Sequence, residues 1–361
     1  MTNREAQIFQ WITENPMISQ EELAAKAGIA RSSAAVHISN LMKKGYILGK
    51  GYVTNGPSYC MVIGGANIDI GGTPDGELID EDSNPGRTMQ SLGGVGRNVA
   101  HNLRLLGVGV KFITAIGDDA YAQKIIENCT ELGIDIADAL KTAKADTSTY
   151  LYISDAKGDM KLAVSDMRIY ENLTPDFIAP KMEQLNRARM VILDTNIPAE
   201  TIALICEKCK APVFADPVST KKAEKLLPVL DKLYVATPNK LEAEVLSGIS
   251  ITDRDSLERA ADIILEKGVK NVFITMGKAG VYCASDEEQF MMNGLGGELV
   301  NATGAGDAFM AGVSLGFMKH MGIRQMAKLG LAAASLTIEA DQTINPQLCI
   351  PAVAQRAKME L

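Results

Sequence analysis

Residues 59–69 read Tyr-Cys-Met-Val-Ile-Gly-Gly-Ala-Asn-Ile-Asp: an apolar run, a glycine break, and then two polar side chains, Asn67 and Asp69, two positions apart. From Tyr59 onward such short apolar runs alternate with helical patterns, which predicts βαβ units and a mostly parallel sheet. The polar residues just past each run are informative. Met190–Leu193 leads to Asp194, Val213–Ala215 to Asp216-Pro217, Leu233–Ala236 to Thr237-Pro-Asn239, and Val272–Ile274 to Thr275-Met-Gly277. Open α/β sheets bind ligands at the carboxyl ends of their strands, so these polar sets outline one site. Capping a helix or turning a loop is the alternative: it would explain any one of them more readily than five together.

Two stretches, about 71–91 and 147–166, break the βα rhythm. The second reads Thr149-Tyr-Leu-Tyr-Ile153, a turn at Asp155–Asp159, then Lys161-Leu-Ala-Val164, which is a hairpin pattern. Together they predict a small sheet standing off the main one, as a lid, a dimer surface or an ordinary surface insertion.

No G-x-x-x-x-G-K-[ST] occurs and no G-x-G-x-x-G follows a strand, so a Walker loop and a Rossmann dinucleotide site are unsupported. Two other glycine motifs remain. Gly93-Gly-Val-Gly-Arg-Asn98 runs into a helix with Val99, Ala100, Leu103 and Leu106 inward and Gly107 at its end. Paired glycines let backbone approach a ligand, and Asn98 offers a donor and an acceptor to hydroxyls. Asn67 and Asp69 on extended chain face the same side and can grip the same polyol. The second motif, Asn301-Ala-Thr-Gly-Ala-Gly-Asp307-Ala-Phe309, opens a helix reaching about Met321. Amides of Gly304, Ala305 and Gly306 at a helix start make a cradle for a phosphoryl group, and Asp307 beside them can take a hydroxyl proton. A glycine-rich N-cap with Asp307 merely favourable to the helix dipole is the other reading.

Ahead of the body, residues 3–14 have helical spacing at Ile8, Trp11 and Ile12, and Ser19-Gln-Glu-Glu22 has the capping-box form. A third helix should run from about Ala30 to Lys44 with Val36, Ile38 and Leu41 inward, followed by β-like pieces around Gly49-Lys50-Gly51. The segment resembles the DNA-binding head of bacterial winged-helix regulators. The likeness directs Arg31, Ser32, Ser33 and His37 toward a groove and Lys43, Lys44 and Lys50 toward phosphates. A small oligomerisation or packing module with a basic face is the alternative. The expected domains are 1–54, the winged helix-turn-helix, and 59–361.

At 361 residues, 47% hydrophobic and 22% charged, the chain is neither a stapled scaffold, a disordered segment nor a coiled coil. No apolar run is of membrane-spanning length, and Met1–Trp11 is a polar helical pattern, so a cytoplasmic protein without a membrane partner is expected. Six Lys/Arg against four Glu give residues 1–53 a charge of +2, so the remainder carries −10 in a chain whose net charge is −8. That split hints at a polyanion partner for the head. The six cysteines read as reduced thiols; Cys206 and Cys209 form a C-x-x-C with no second pair or nearby His.

The ordered set of Asn67-x-Asp69, GGVGRN, Pro238-Asn-Lys-Leu-Glu242, Thr275-Met-Gly-Lys-Ala-Gly280 and ATGAGDAF resembles the ribokinase-like (PfkB) family of sugar and nucleoside kinases, over about residues 59–350. The resemblance implies an α/β/α sandwich with a small β lid, ATP and Mg²⁺ as co-substrates, and phosphorylation of a primary hydroxyl. By motif position it implies Asp307 as the base and Gly304, Ala305 and Gly306 as the anion hole. Asn67, Asp69, Gly94, Asn98 and Asp194 would bind the substrate. Asn239 and Glu242 match the N-x-x-E that organises Mg²⁺ and phosphates, Thr275, Gly277 and Gly280 would sit by the nucleotide, and the loop Asp341–Pro346, with Asn345, would close over adenine.

Two positions depart from the family pattern. Val95 stands where ribokinases typically have Lys, which removes a hydroxyl donor and points away from free ribose. Asn301 stands where Asp is usual, offering a carbonyl without charge at the monovalent-cation (K⁺) position it shares with Thr303. GGVGRN with AHNL, DTSTYL, PNKLEAE and NATGAGDA are most similar to the pseudouridine kinase branch, which phosphorylates the 5′-hydroxyl of a C-nucleoside. Val95 and the lid residues Tyr150 and Tyr152 suit a substrate that carries a base. The resemblance leaves three expectations: a nucleoside kinase, a kinase of a free sugar, or a regulator using the kinase fold as a metabolite sensor. A homodimer through the lid accompanies the first two.

Overall fold

The computed structural model describes residues 1–49, 58–156 and 158–361. By its contacts the chain divides into two compact units, Met1–Ser58 and Tyr59–Leu361. The first unit packs helices Asn3–Glu14, Gln20–Ala27 and Arg31–Lys43 around Ile8, Ile12, Leu23, Ile38, Leu41 and Ile47. Thr2 with Glu5 and Ser19 with Glu22 form reciprocal capping boxes, and Gly28 ends the second helix in the left-handed region. Glu5 also accepts from Lys44 at 2.8 Å, and these partners hold its carboxyl down to about 2.

One expectation fails here. Val36 is 59% exposed; the inward face of the third helix is Ala34, Ile38 and Leu41. Those three share one stripe at helical spacing, whereas position 36 lies two residues from 38 and so on the other side. Arg31, Ser32 and Ser33 are exposed and His37 is half-buried. Lys50, the remainder of the expected wing and the boundary at Thr54 fall outside the described residues.

The second unit contains strands β1 (Tyr59–Ile63), β2 (Asn67–Pro74), β3 (Gly86–Gly93), β4 (Gly109–Ile113), β5 (Ala115–Ile116), β6 (Leu140–Lys141), β7 (Thr149–Ser154) and β8 (Met160–Asp166). They are followed by β9 (Met190–Asp194), β10 (Val213–Asp216), β11 (Leu233–Ala236), β12 (Asn271–Thr275), β13 (Val281–Ser285) and β14 (Gln289–Met292). The main sheet runs β14-β13-β12-β11-β10-β9-β1-β4, parallel from β12 to β4, with β13 and β14 antiparallel at one edge.

Period-2 alternation sends Cys60, Val62, Met190 and Ile192 into one core and Met61, Ile63, Val191 and Leu193 into the other. Both faces are therefore covered by helices, which makes an α/β/α sandwich and explains the continuous apolar runs. Helix Ala305–Met318 is buried from Asp307 to Gly316. A Cβ on Gly312 would lie 2.5 Å from the Leu329 carbonyl, so this glycine lets helix Ile323–Thr337 cross closely. The expected extension to about Met321 stops at Met318, where Lys319 and the left-handed His320 turn the chain.

The stretches that broke the rhythm form a four-stranded sheet, β3-β2-β7-β8, in which β2 and β7 pair in parallel. Register places Tyr150 opposite Asp69 and Tyr152 opposite Gly71, so both tyrosines share the face of Asp69. Leu151, Leu162 and Val164 lie on the opposite face and are exposed. Among the described residues no helix is long and apolar enough to cross a membrane.

Candidate active site

The sandwich brings the polar sets together at the carboxyl ends of its parallel strands. β1 leads through Gly64, Gly65 and Ala66 directly into β2, so Asn67 and Asp69 stand at the root of the lid sheet, where the Asn67 amide donates to Asp69 Oδ1 at 2.6 Å. Strand β3 returns to Gly93, and Gly94, with φ of 96°, turns the chain into helix Val95–Leu105. A side chain on Gly94 would collide with the Gly65 carbonyl at 2.5 Å. The loop glycines thus dock the two segments against each other.

Asp194, at the end of β9, is the bolt between them. Its Oδ2 accepts from the amides of Gly65 and Gly96, each at 2.8 Å, and its Oδ1 from Asn196 at 2.9 Å. The residue is 2% exposed and burial pushes its carboxyl up. Its oxygens therefore serve the backbone of the floor.

The two glycine motifs meet in one hydrogen bond: Asn98 Nδ2 donates to Asp307 Oδ2 at 2.7 Å, across 209 residues of sequence. Asp307 lies in the first turn of helix Ala305–Met318, which is opened by Gly304 at φ of 81° and has no side-chain cap. The helix start consequently keeps amide donors for a ligand, and nothing stands within 4 Å of where a Cβ of Gly306 would project. Burial pushes the Asp307 carboxyl up to about 7 against the opposing pull of Asn98 and the Arg97 cation, with Asp194 and Asp69 adding repulsion. A carboxylate near neutrality, at a helix N-terminus and hydrogen-bonded to a fixed amide, is suited to accept a proton at physiological pH.

Across the crevice, Asn239 caps helix Lys240–Ser247. Its Oδ1 accepts from the Glu242 amide at 3.0 Å, while Glu242 Oε2 accepts from the Asn239 amide at 2.9 Å. The N-x-x-E is thus a capping box, and Glu242, 4% exposed, has its carboxyl raised by burial. Asn239 also bridges to Thr275 at the end of β12. Gly277 faces open space at φ of 57°, whereas Gly280, at φ of 105°, is packed on Met292 and Gly294 backbone. Asn345 is 8% exposed and donates to Leu336 O at 2.7 Å, holding the loop after helix Ile323–Thr337. Asn301 staples its loop in the same manner, donating to Asp341 O at 3.0 Å and accepting from Thr303 N at 2.9 Å, while Thr303 is exposed.

Sequence reasoning counted Asp216 among the strand-end polar residues without giving it a role, and did not select Arg97. Asp216 sits between the two halves, its carboxyl held well above the usual range by burial and by the charges of Asp307 and Glu242. Five carboxyl groups with raised pKa values, Asp69, Asp194, Asp216, Glu242 and Asp307, thus lie near enough to one another at this end of the sheet for their charges to interact. Among the described residues no group of three or more His, Cys, Asp or Glu side chains could hold a metal ion. Carboxylate oxygens are donors of the kind a Mg²⁺ ion takes, beside phosphate oxygens and water. The cysteines lie outside this chemistry: burial pushes the Cys206 thiol up to about 12 and also raises Cys209.

Comparison with known proteins agrees with this layout. A family model described as pfkB family carbohydrate kinase matches residues 57–349, and a winged helix-turn-helix DNA-binding model matches residues 5–47. The uncharacterized sugar kinase YeiI of Escherichia coli is 35% identical over 96% of this chain and 97% of its own, so that similarity extends into the first unit. The pseudouridine kinase of Escherichia coli is 34% identical, covering 81% of this chain and 94% of its own. Among solved structures, the ribokinase of Thermotoga maritima superposes with a TM-score of 0.74 at 25% identity, covering 83% of this chain and 99% of that one.

Proposed function

We propose, from the premise that this chain belongs to the pfkB family of carbohydrate kinases, that it transfers the γ-phosphoryl group of ATP to the 5′-hydroxyl of a nucleoside, with pseudouridine as the foremost acceptor. The observation that carries this reading is the Asn98–Asp307 hydrogen bond, which sets a near-neutral carboxylate between the polyol-binding root of the lid and an uncapped helix start. Asn67, Asp69 and Asn98 hold the acceptor's ring hydroxyls. Asp307 takes the proton of the attacking hydroxyl as the new P–O bond forms and the β,γ-bridging bond breaks. The Gly304–Gly306 amides stabilise charge on the equatorial oxygens. Asp194 keeps the Gly65 and Gly96 backbone in register beneath the acceptor. Mg²⁺, when bound with the triphosphate, supplies charge neutralisation at the phosphate oxygens; Asn239 and Glu242 would hold it through water, and Thr275, Gly277, Gly280 and the Asn345 loop would line the nucleotide.

Val95 and the tyrosine-bearing lid face favour a base-carrying acceptor, and a free sugar is the competing one. ADP release with MgATP and a panel of pseudouridine, uridine, ribose and fructose decides between them. The expected result is the highest kcat/KM on pseudouridine. A higher value on ribose or fructose would replace the nucleoside reading, and no ADP with any acceptor would favour the sensor.

A second reading concerns the first unit. The match to a DNA-binding model and the exposure of Arg31, Ser32, Ser33 and Val36 on one helix support a DNA-binding head. Its binding should weaken steeply between two salt concentrations; failure to bind any duplex at low salt would leave the oligomerisation role. The exposed Leu151, Leu162 and Val164 support a homodimer through the lid, which equilibrium sedimentation tests directly.

A further inference from the structure

Arg97 is the most heavily engaged cation near the crevice, and the phosphoryl-transfer steps give it no task. It lies in the first turn of helix Val95–Leu105 and is only 3% exposed. Its Nη2 donates both to the Leu92 carbonyl of β3 and to Asn98 Oδ1, its Nε lies 3.4 Å from the Gly93 carbonyl, and its Nη1 faces His101 Nδ1 at 3.2 Å. Its own amide donates to the Gly65 carbonyl at 2.9 Å. Burial lowers the guanidinium only to about 10, so it remains charged near neutrality, whereas burial and that charge pull His101 down to about 4, leaving a neutral ring that can accept.

The consequence falls on Asn98. A carboxamide presents a donor at one end and an acceptor at the other, and the two can exchange by a half-turn. With Oδ1 taken by the guanidinium, Nδ2 must point at Asp307. In the flipped orientation the carbonyl would face a carboxylate, repelling it and leaving a buried donor without its partner. The same guanidinium grips Leu92, which pairs with Ile68 beside Asn67 and Asp69. One guanidinium nitrogen, Nη2, therefore joins the root of the lid to the residue that orients Asp307, while Nε and Nη1 hold it in place.

We propose that Arg97 is a positioning residue that couples the lid strand β3 to the proton acceptor, by fixing the Asn98 amide toward Asp307 while holding the Leu92 carbonyl. This rests on the reading of Asp307 as the base. Seating of an acceptor against Asn67 and Asp69 sets β3, and Arg97 passes that setting to Asp307.

The test uses the full-length chain with MgATP and the best acceptor of the panel. Arg97→Lys keeps the charge but loses the Nε and Nη1 contacts to Gly93 and His101 that hold Nη2 in place; its kcat should fall on the order of 30-fold or more, with acceptor KM within about threefold and the acid limb of the pH profile in place. Arg97→Met removes the cation that faces Asp307 while Asp69, Asp194 and Asp216 remain, so its acid limb should also move to higher pH. Retained kcat in both variants, or loss confined to KM with no displacement of the acid limb, overturns the proposal.

If the variants do not fold, Asp307→Asn supplies the second arm, because it leaves every hydrogen-bond partner of the Arg97 side chain in place. Acceptor-induced slowing of amide exchange over residues 86–93 should be smaller in Asp307→Asn than in the natural chain. Equal slowing overturns the coupling. Near-natural kcat in Asp307→Asn would instead sink the base assignment itself, so the two failures are told apart.

Discussion

The two glycine loops of the crevice look alike in sequence and differ in what fills the space around them. At Gly93, Gly94 and Gly96 an added Cβ would run into Asp69, the Gly65 carbonyl and the Gly64 backbone, whereas at Gly306 it would meet nothing within 4 Å. The first loop is made of glycine so that protein can pack on protein. The second leaves open space at Gly306, where the proposed reading seats the phosphoryl group; only Gly304, whose Cβ would strike the Thr343 carbonyl, is closed in the manner of the first. Crowding by neighbours marks a small residue that carries a folding constraint; an open one is where a ligand constraint can be tested.

The largest expected effect is at the second loop. Asp307→Asn should lower kcat on the order of 10³-fold or more while acceptor binding persists, measured as steady-state kcat beside the acceptor Kd. A near-natural rate would remove the chemical half of the contrast. Next, Gly94→Ala should destabilise the body by roughly 3 kcal/mol, from left-handed strain together with the collision at Gly65, read in urea unfolding. Gly306→Ala should leave the unfolding free energy within about 0.5 kcal/mol of the natural chain and still cost on the order of tenfold in kcat. If it unfolds the body instead, the two loops are of one kind.

Two smaller effects arise from the carboxyl of Asp307, held up at about 7. Activity requires the unprotonated form, so kcat/KM should climb with pH through about 7 and fall about tenfold per unit well below it. For stability the sign is opposite. A folded-state pKa above the unfolded one favours the native chain at low pH, and that contribution is lost as pH rises through about 7. Asp307→Asn should therefore raise the unfolding free energy by on the order of 1 kcal/mol at pH 8, and by less at pH 5.

Local signals were legible in the sequence because their causes are local. Ser19 with Glu22 and the glycine-to-helix turns at Gly94 and Gly304 rest on neighbours within four residues, and the strand ends carrying Asn67, Asp194 and Asn239 follow from the βα rhythm. What escaped depends on segments far apart. Val36 faces outward because Ala34 shares the stripe of Ile38 and Leu41, a choice that packing against the other helices settles. Nothing near Asp194 reveals that its carboxylate is absorbed by Gly65 and Gly96, and nothing near Arg97 reveals Leu92 and Asn98 as joint partners. The parallel pairing of β2 with β7 joins residues about eighty positions apart and has no turn to announce it.

The 209-residue span of the Asn98–Asp307 bond also orders events during synthesis. A ribosome delivers Asn67, Asp69 and Asn98 long before the helix that carries Asp307, so a chain that ends short of residue 307 holds only one half of the proposed site. Contacts of such separation close late and slowly. On the proposed mechanism, phosphoryl transfer therefore begins only when the last third of the chain has folded back onto the first.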